Sequence, residues 1–399
     1  MSSGSTSDSE YKSDSSTIVN DHEPFETFKT RVFQLFQDVF GPISDKELSI
    51  ERLRGGGFNK IIGVSIAKSP ARQYILRVPR FEAAQLNRDL GPLYLLGRQS
   101  DVPVPKVITL DTTSCNALQD RYMIQNRIPG ANLLSEFPTL THTMRCAIAR
   151  ELGKVFSALQ SIRSNTAGNI IMSPFEKSLT IQTFHKTEAG TALPYKDGPA
   201  IQTTSEMLCA AFESKKQQLL PNGLHDSFRA PFFDSFITIT LEMSALGLLN
   251  TDYYCLCHLD LEPRNILSRP PISAQPNIIT GILDWDSAIF APPFMCASPP
   301  MWLWAWNDDA DEDERLANDT PPTSELCELK HVFEDAAGPD YRRFAYGVQY
   351  RLARRLVKFA IDGLQSNEDF VRAESFIQEW TEMQPSLNIT NKAALSVPI

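Results

Sequence analysis

The chain has 399 residues, 42% hydrophobic and 10% aromatic, enough apolar material to bury one large or two medium cores. Its 38 Lys and Arg face 48 Asp and Glu, and the resulting formal charge of −10 offers no basic footprint for nucleic acid or an anionic membrane surface. No apolar run is long enough to span a bilayer, no secretory leader pattern is evident, and the 7 scattered cysteines read as free thiols in a reducing compartment, so a cytoplasmic location is expected.

Residues 1–24 are mostly Ser, Asp, Thr and Glu, with too few apolar groups to offset ordering entropy, so a disordered tail is expected. From Phe25 to Phe40, Phe28, Val32, Leu35, Phe36 and Val39 recur at helical spacing, and Gly41-Pro42 ends the pattern. SIERLRGGGFNKIIGVSIA alternates around a glycine cluster, and YILRVPR and RYMIQNRIPG are further short β-type runs, which together predict a small sheet. Beyond Pro138 the texture turns helical. Met144, Ile148, Leu152, Val155, Phe156 and Leu159 share one helix face, and FFDSFITITLEMSALGLL and YRRFAYGVQYRLARRLVKFAIDGL read the same way. The expected organisation is α+β: a tail over 1–24, a β-rich part over 25–132 and a helix-rich part over 133–399. The charged stretch NDDADEDER, residues 307–315, has no apolar periodicity and reads as a solvated loop.

Two short apolar runs, YYCLC and NIITGILDW, flank CHLDLEPRNIL at 257–267. There His258, Asp260 and Asn265 fit H-x-D-x-x-x-x-N, the spacing of a kinase catalytic loop, and 19 residues after Asn265 the run ILDWD delivers Asp284 at the end of a strand-like segment. Phosphoryl transfer needs one carboxylate to orient a hydroxyl and accept its proton, while a second carboxylate and an amide oxygen hold Mg²⁺ against the triphosphate. Asp260 suits the first task, and Asn265 and Asp284 the second. A lone H-x-D in a chain this long is most simply an accidental surface pair; the full set in order is far more specific. Cys255 and Cys257 do not make a zinc site, because no second Cys or His pair stands at ligand spacing. Asp286 would face the opposite side of a continuing strand and is expected to be structural. Gly55, Gly56 and Gly57 would let main-chain N–H groups cradle a phosphate, although a glycine run alone is more simply a turn.

In chain order, GGGFNK (55–60), Arg77 in YILRVPR, Asp89 ahead of PLYLLGRQSDVPVPKV, RYMIQNRIPG (121–130), CHLDLEPRNIL and GILDWD resemble the aminoglycoside phosphotransferase and choline kinase family, especially its fungal phosphotransferase branch. The resemblance spans roughly residues 45–300 by motif. It implies a bilobal protein-kinase-like fold with a small antiparallel-sheet N-lobe and a larger helical C-lobe. It also implies ATP and Mg²⁺ as cofactors, and nucleotide contacts from Gly55, Gly56, Gly57, Phe58 and Asn59. Adenine would lie against the hinge at Gln125, Arg127 and Ile128. Arg77 and Asp89 would replace the Lys and Glu of most kinases, which is not a conservative exchange, since a guanidinium fork is not a point ammonium. Without the resemblance, Asp89 would be an unremarkable surface carboxylate. His258 would brace the catalytic loop rather than move a proton.

The implied activity is transfer of the γ-phosphate to a hydroxyl of a small molecule; the alternative is a nucleotide-binding protein of the same fold that does little chemistry. A protein kinase is disfavoured because D-F-G and A-P-E segments are missing. For the acceptor, a cationic compound steered by Asp308, Asp309, Asp311, Glu312, Asp313 and Glu314 and stacked on Trp302, Trp304 or Trp306 competes with the simpler reading of that run as a solvated face.

Overall fold

The computed structural model describes residues 24–53, 58–67, 71–81, 86–173, 178–184, 192–194, 203–219, 227–269, 278–306 and 313–395. Residues 1–23 of the expected tail, Gly55, Gly56 and Gly57, and Asp308, Asp309, Asp311 and Glu312 lie outside them. The chain divides into two compact units, Met1–Leu86 with Lys106–Arg127, and Asn87–Pro105 with Ile128–Ile399.

The first unit contains α1 (Phe25–Phe40), β1 (Leu48–Leu53), β2 (Asn59–Ile66), β3 (Arg72–Pro79), β4 (Val107–Asp111) and β5 (Tyr122–Asn126). The strands form an antiparallel sheet in the order β1-β2-β3-β5-β4. The apolar stripe of α1 is buried at Phe28, Val32, Leu35 and Phe36, and shares a core with Ile62, Val64, Tyr74, Leu76 and Ile124 from the sheet. Gly41 ends the helix at φ 84°, a conformation that glycine adopts without a Cβ penalty, and its N–H bonds Gln37 O at 2.9 Å. Across the sheet, Arg127 pairs with Glu51 at 2.5 Å, passing over Gly63, where an added Cβ would lie 2.8 Å from Glu51 Oε1. Gly63 therefore keeps the path of that ion pair open.

In the second unit are α2 (Asn87–Gln99), β6 (Ala131–Asn132), α3 (Leu133–Glu136), α4 (His142–Ser161), β7 (Arg163–Ser164), β8 (Gly168–Met172), β9 (Leu179–Gln182) and β10 (Ala192–Pro194). There follow α5 (Thr204–Leu219), α6 (Ala230–Ala245), β11 (Tyr254–Cys257), β12 (Ile266–Ser268), β13 (Ile279–Ile282), β14 (Ile289–Ala291), α7 (Ser324–Ala345), α8 (Val348–Asp362) and α9 (Asn367–Leu395). This unit is less purely helical than the periodicity suggests. It carries one sheet ordered β10-β9-β8-β14-β11-β7 and another ordered β13-β12-β6. Strands of two to five residues, such as GNIIM in β8, are too short to declare themselves by alternation. Helix α2 belongs here because it lies directly on β8: a Cβ at Gly91 would meet Ile170 O at 2.3 Å.

The helices pack by their apolar faces. Phe156 of α4 sits edge-on to Phe333 and Tyr341 of α7 at 5.1 and 5.8 Å, and Phe236 of α6 stacks on Phe359 of α8 at 4.8 Å. The expectation that all cysteines are free thiols is corrected here: Cys257, the last residue of β11, is paired with Cys296 as a disulfide, their Cα atoms 5.1 Å apart. Their separation of 39 in sequence hides the pairing from a reading of sequence alone. Among the described residues, no helix is long and apolar enough to cross a membrane.

Candidate active site

All four residues of β11 are buried, so the chain must turn sharply at Cys257 to bring polar groups to the surface. Leu259 makes that turn at φ 61°, an uncommon conformation for a residue with a Cβ. His258, 3% exposed, holds the turn in place. Its Nε2–H donates to Leu283 O at 2.8 Å, and its Nδ1 accepts from the Asp260 N–H at 3.3 Å. Those two bonds define the neutral tautomer. Burial lowers the His258 pKa below its ordinary value, outweighing the upward pull of the Leu283 bond and of the Asp260 and Asp284 charges. With both ring nitrogens engaged, the imidazole links the loop bearing Asp260 to the loop bearing Asp284.

The Asp260 carboxylate is held from two sides. Oδ1 is ion-paired with Arg264, four residues on, and Oδ2 accepts from Asn265 Nδ2 at 2.8 Å. Asn265 Nδ2 also donates to Asp260 O at 2.9 Å, which uses both amide hydrogens and leaves Oδ1 as the atom able to meet a cation. Asn265 immediately precedes β12 and Asp284 closely follows β13, and Ile266 pairs with Ile282, so the two side chains emerge from the same end of one hairpin. Leu283 N donates to Asn265 O at 2.8 Å and ties these flanks together. Asp284 is exposed in the left-handed region at φ 64°. An amide oxygen and a carboxylate so placed are hard donors that fit Mg²⁺. The expectation that a strand continues to Asp286 is not met: β13 ends at Ile282, and residues 285–287 form a 3₁₀ turn.

The residues that the resemblance assigns to the nucleotide fall in both units. Phe58 is 66% exposed, and Asn59, buried on β2, has an Oδ1 with no hydrogen-bond donor among the described residues. Arg77 is buried on β3 opposite Met123. Asp89 is no surface carboxylate, being 1% exposed in the first turn of α2, and it falls in a different unit from Arg77. Gln125 is buried on β5 with Nε2 3.1 Å from Met123 Sδ. The N–H groups of Asn126 and Arg127 are used inside the sheet, by Lys106 O and Gln73 O, and the Arg127 side chain holds Glu51. Ile128 packs over Gly281, where a Cβ would come within 2.7 Å of it.

Beside the 258–265 loop, a cavity of about 130 Å³ is lined by His258, Leu261, Glu262, Ser298, Trp302 and Lys358, among others. Burial pushes the Glu262 carboxyl up, against the pull of Arg264 and Lys358. Trp302 is 4% exposed, and its indole N–H has no hydrogen-bond partner among the described residues. Trp302 meets Phe137 edge-on at 5.2 Å, and the buried Trp304 lies against Phe333 at 6.1 Å, so neither offers a free face for stacking a cation. Nor is the acidic run wholly solvated. Glu314 is half-buried, and its Oε2 accepts from Arg354 Nε and Nη2 at 3.0 and 2.9 Å. Burial alone would raise its pKa, but Arg354 and a hydrogen bond from Ser298 hold it below the ordinary value. Arg264, Glu262 and Glu314 were not evident as site neighbours from the sequence; only Arg264, four residues after Asp260, carries a local signal.

Comparison with known proteins identifies the family and the fold. The phosphotransferase enzyme family model (APH) matches residues 64–318. Subtelomeric hrmA-associated cluster proteins from two strains of Aspergillus fumigatus are each 24% identical over 383 residues, covering 79% of this chain and 73% of theirs. Among solved structures, ADP-bound aminoglycoside phosphotransferase APH(2'')-Ib superposes with a TM-score of 0.50 at 13% identity, over 88% of this chain and 96% of that one. A thermostable APH(4)-Ia mutant in ternary complex with AMP-PNP and hygromycin B gives 0.50 at 16% identity, over 88% and 97%. Identities this low establish the kinase-like α+β fold and nothing finer. The length of the family match establishes the rest: the chain belongs to the phosphotransferase enzyme family.

Proposed function

We propose that this chain is an ATP- and Mg²⁺-dependent phosphotransferase that moves the γ-phosphoryl group to a hydroxyl of a small molecule. The observation that carries the reading is the placing of Asp260, Asn265 and Asp284 around the β12–β13 hairpin, with His258 fixing one loop to the other. In this reading Asp260 Oδ takes the proton of the acceptor hydroxyl as that oxygen bonds to the γ-phosphorus, and the bond from phosphorus to the bridging oxygen of ADP breaks. Asn265 Oδ1 and the Asp284 carboxylate would hold Mg²⁺, which when bound neutralises charge on the phosphates. His258 orients the loop and stays neutral. Arg77, Asp89 and the segment from Gly55 to Asn59 serve the nucleotide, with Gln125, Arg127 and Ile128 as the hinge.

The cavity bears on the acceptor. A volume of about 130 Å³ compares with the roughly 150 Å³ of a cavity that holds benzene, so the part of the acceptor enclosed there is small. Glu262 and Lys358 offset each other in the lining. We therefore favour a small, weakly charged hydroxyl compound over a polycation. The second reading, a nucleotide-binding protein with little catalytic power, is favoured by the ion pair that already occupies Asp260.

The test is a thermal-shift titration with ATP and Mg²⁺, followed by an ADP-release screen of polyols, amino alcohols, choline and aminoglycosides. A shift that needs both ATP and Mg²⁺, with ADP release on a small hydroxyl compound, is expected. The absence of any such shift would overturn the nucleotide assignment. A shift without ADP release on any acceptor would favour the second reading.

A further inference from the structure

We infer a second metal site, of the zinc type, formed by His142, Cys146 and Glu328. His142 and Cys146 stand four residues apart on α4 and so share a helix face, and Glu328 comes from the second turn of α7. His142 Nε2 lies 2.9 Å from Glu328 Oε2 and 3.4 Å from Cys146 Sγ, and the three ligand atoms all lie within 4.8 Å of one another. Tetrahedral zinc, with bonds of about 2.0 to 2.3 Å, sets its ligand atoms roughly 3.3 to 3.8 Å apart. A shift on the order of 1 Å would close the trio around an ion.

Hydrogen bonding alone explains the cluster poorly. Nε2 carries at most one proton, yet a carboxylate oxygen and a sulfur both converge on it. A cation in place of that proton satisfies all three at once.

The donor chemistry selects the ion. Sulfur, imidazole nitrogen and one carboxylate oxygen suit Zn²⁺ and its probe Co²⁺, whereas Mg²⁺ requires oxygen donors. Cys146 is 7% exposed, but the side chains of His142 and Glu328 are 27% and 60% exposed, which leaves an entry path and a fourth position open to water. Both helices begin here, His142 being the first residue of α4 and Glu328 four residues after Ser324. Burial, then the Glu328 charge, push the Cys146 thiol up, so it is the divalent ion itself that would offset the negative charges of thiolate and carboxylate. The other charges that act on Cys146 are Glu325, of like sign to the thiolate, and Arg150, of opposite sign. Binding replaces the thiol proton by the metal, and the proton goes to solvent. The bound ion would clamp the start of α4 to α7.

The experiment is a Co²⁺ titration of the full-length, chelator-treated protein in excess Mg²⁺, read by thiolate-to-cobalt charge-transfer absorption, with Zn²⁺ as competitor. We expect one Co²⁺ per chain on this signal, displaced by Zn²⁺ and absent in Cys146→Ser. His142→Gln and Glu328→Gln, both at the surface, should each weaken binding by at least the roughly 10- to 100-fold that loss of an outer hydrogen-bond partner of a ligand costs. They keep the test decisive if Cys146→Ser folds poorly. Affinity unchanged in both surface variants, or a charge-transfer band that survives in Cys146→Ser, would overturn the site.

Discussion

The loop at 258–265 and the segment at 293–318 belong to the same unit and both set polar side chains next to apolar core, yet they are held in opposite ways. In the loop the bonds that hold Asp260 and His258 are shorter in sequence, with Asn265 to Asp260 spanning 5 residues and His258 to Leu283 spanning 25, although Asn132 also donates to Arg264 O across 132. In the segment the partners are farther away, with Glu314 bonded to Arg354 at a separation of 40 and Cys296 to Cys257 at 39. The polar side chains of the loop are therefore held largely from within its own motif. The segment is fixed by parts of the chain its sequence does not mention, and its polar groups act in packing.

The largest effect expected within this contrast is on rate, in the loop. Asp260→Asn should lower kcat by about 10²- to 10⁴-fold, the usual contribution of a general base, while leaving ATP·Mg²⁺ affinity near wild type. Asp284→Asn removes a charge from the proposed metal position and should weaken both nucleotide binding and turnover. Calorimetric titrations with ATP·Mg²⁺, paired with ADP-release rates, separate the two. Equal loss of ATP affinity in both variants would mean that the carboxylates have been assigned the wrong way round.

Next comes stability, in the segment. Arg354 is 2% exposed; besides Glu314 it donates to the carbonyls of Phe294, Phe344 and Ala345 at 3.3, 2.8 and 3.0 Å. Glu314→Ala strands that guanidinium in the interior, at a cost of about 3–5 kcal/mol if two-state unfolding holds. Urea denaturation measures it. A loss under about 1 kcal/mol, typical of an exposed pair, would return Glu314 to the solvated face that its acidic neighbours suggest.

The same contrast explains what was legible in the sequence. The α1 stripe, the sheet strands, and the spacing of His258, Asp260, Asn265 and Asp284 are local patterns, and periodicity or motif recovers them. The burial of Asp89, the Glu314 and Arg354 pair, the disulfide, and the loss of Trp302 and Trp304 as stacking faces all depend on which distant segment arrives next door. Residue type works against the reader in these cases. An Asp in a polar stretch reads as solvated, and a Glu within NDDADEDER reads as one of many, because isolated buried carboxylates are costly and therefore rare. Only tertiary partners reveal the exceptions.

The smallest effect expected is a pH dependence carried by His258, and its sign follows from burial. The folded-state pKa lies below the ordinary value of 6.5, so as pH falls through 6.5 the unfolded chain takes up a proton before the folded one does. The unfolded state then binds more protons, and this residue's contribution to stability declines as pH drops, by at most about 1.4 kcal/mol per unit. The loss begins near 6.5 and stops once pH falls beneath the folded value. His258→Gln keeps a donor for Leu283 O but does not titrate, so its unfolding free energy should fall less steeply than wild type on acidification below 6.5. The other histidines are common to both proteins, and the difference between the two slopes isolates residue 258. Parallel slopes would show that the imidazole is not held neutral and that the link between the two loops is looser than its hydrogen bonds indicate. A steeper wild-type slope together with faster ADP loss from the variant would show that the same two bonds that brace the loop also set the rate.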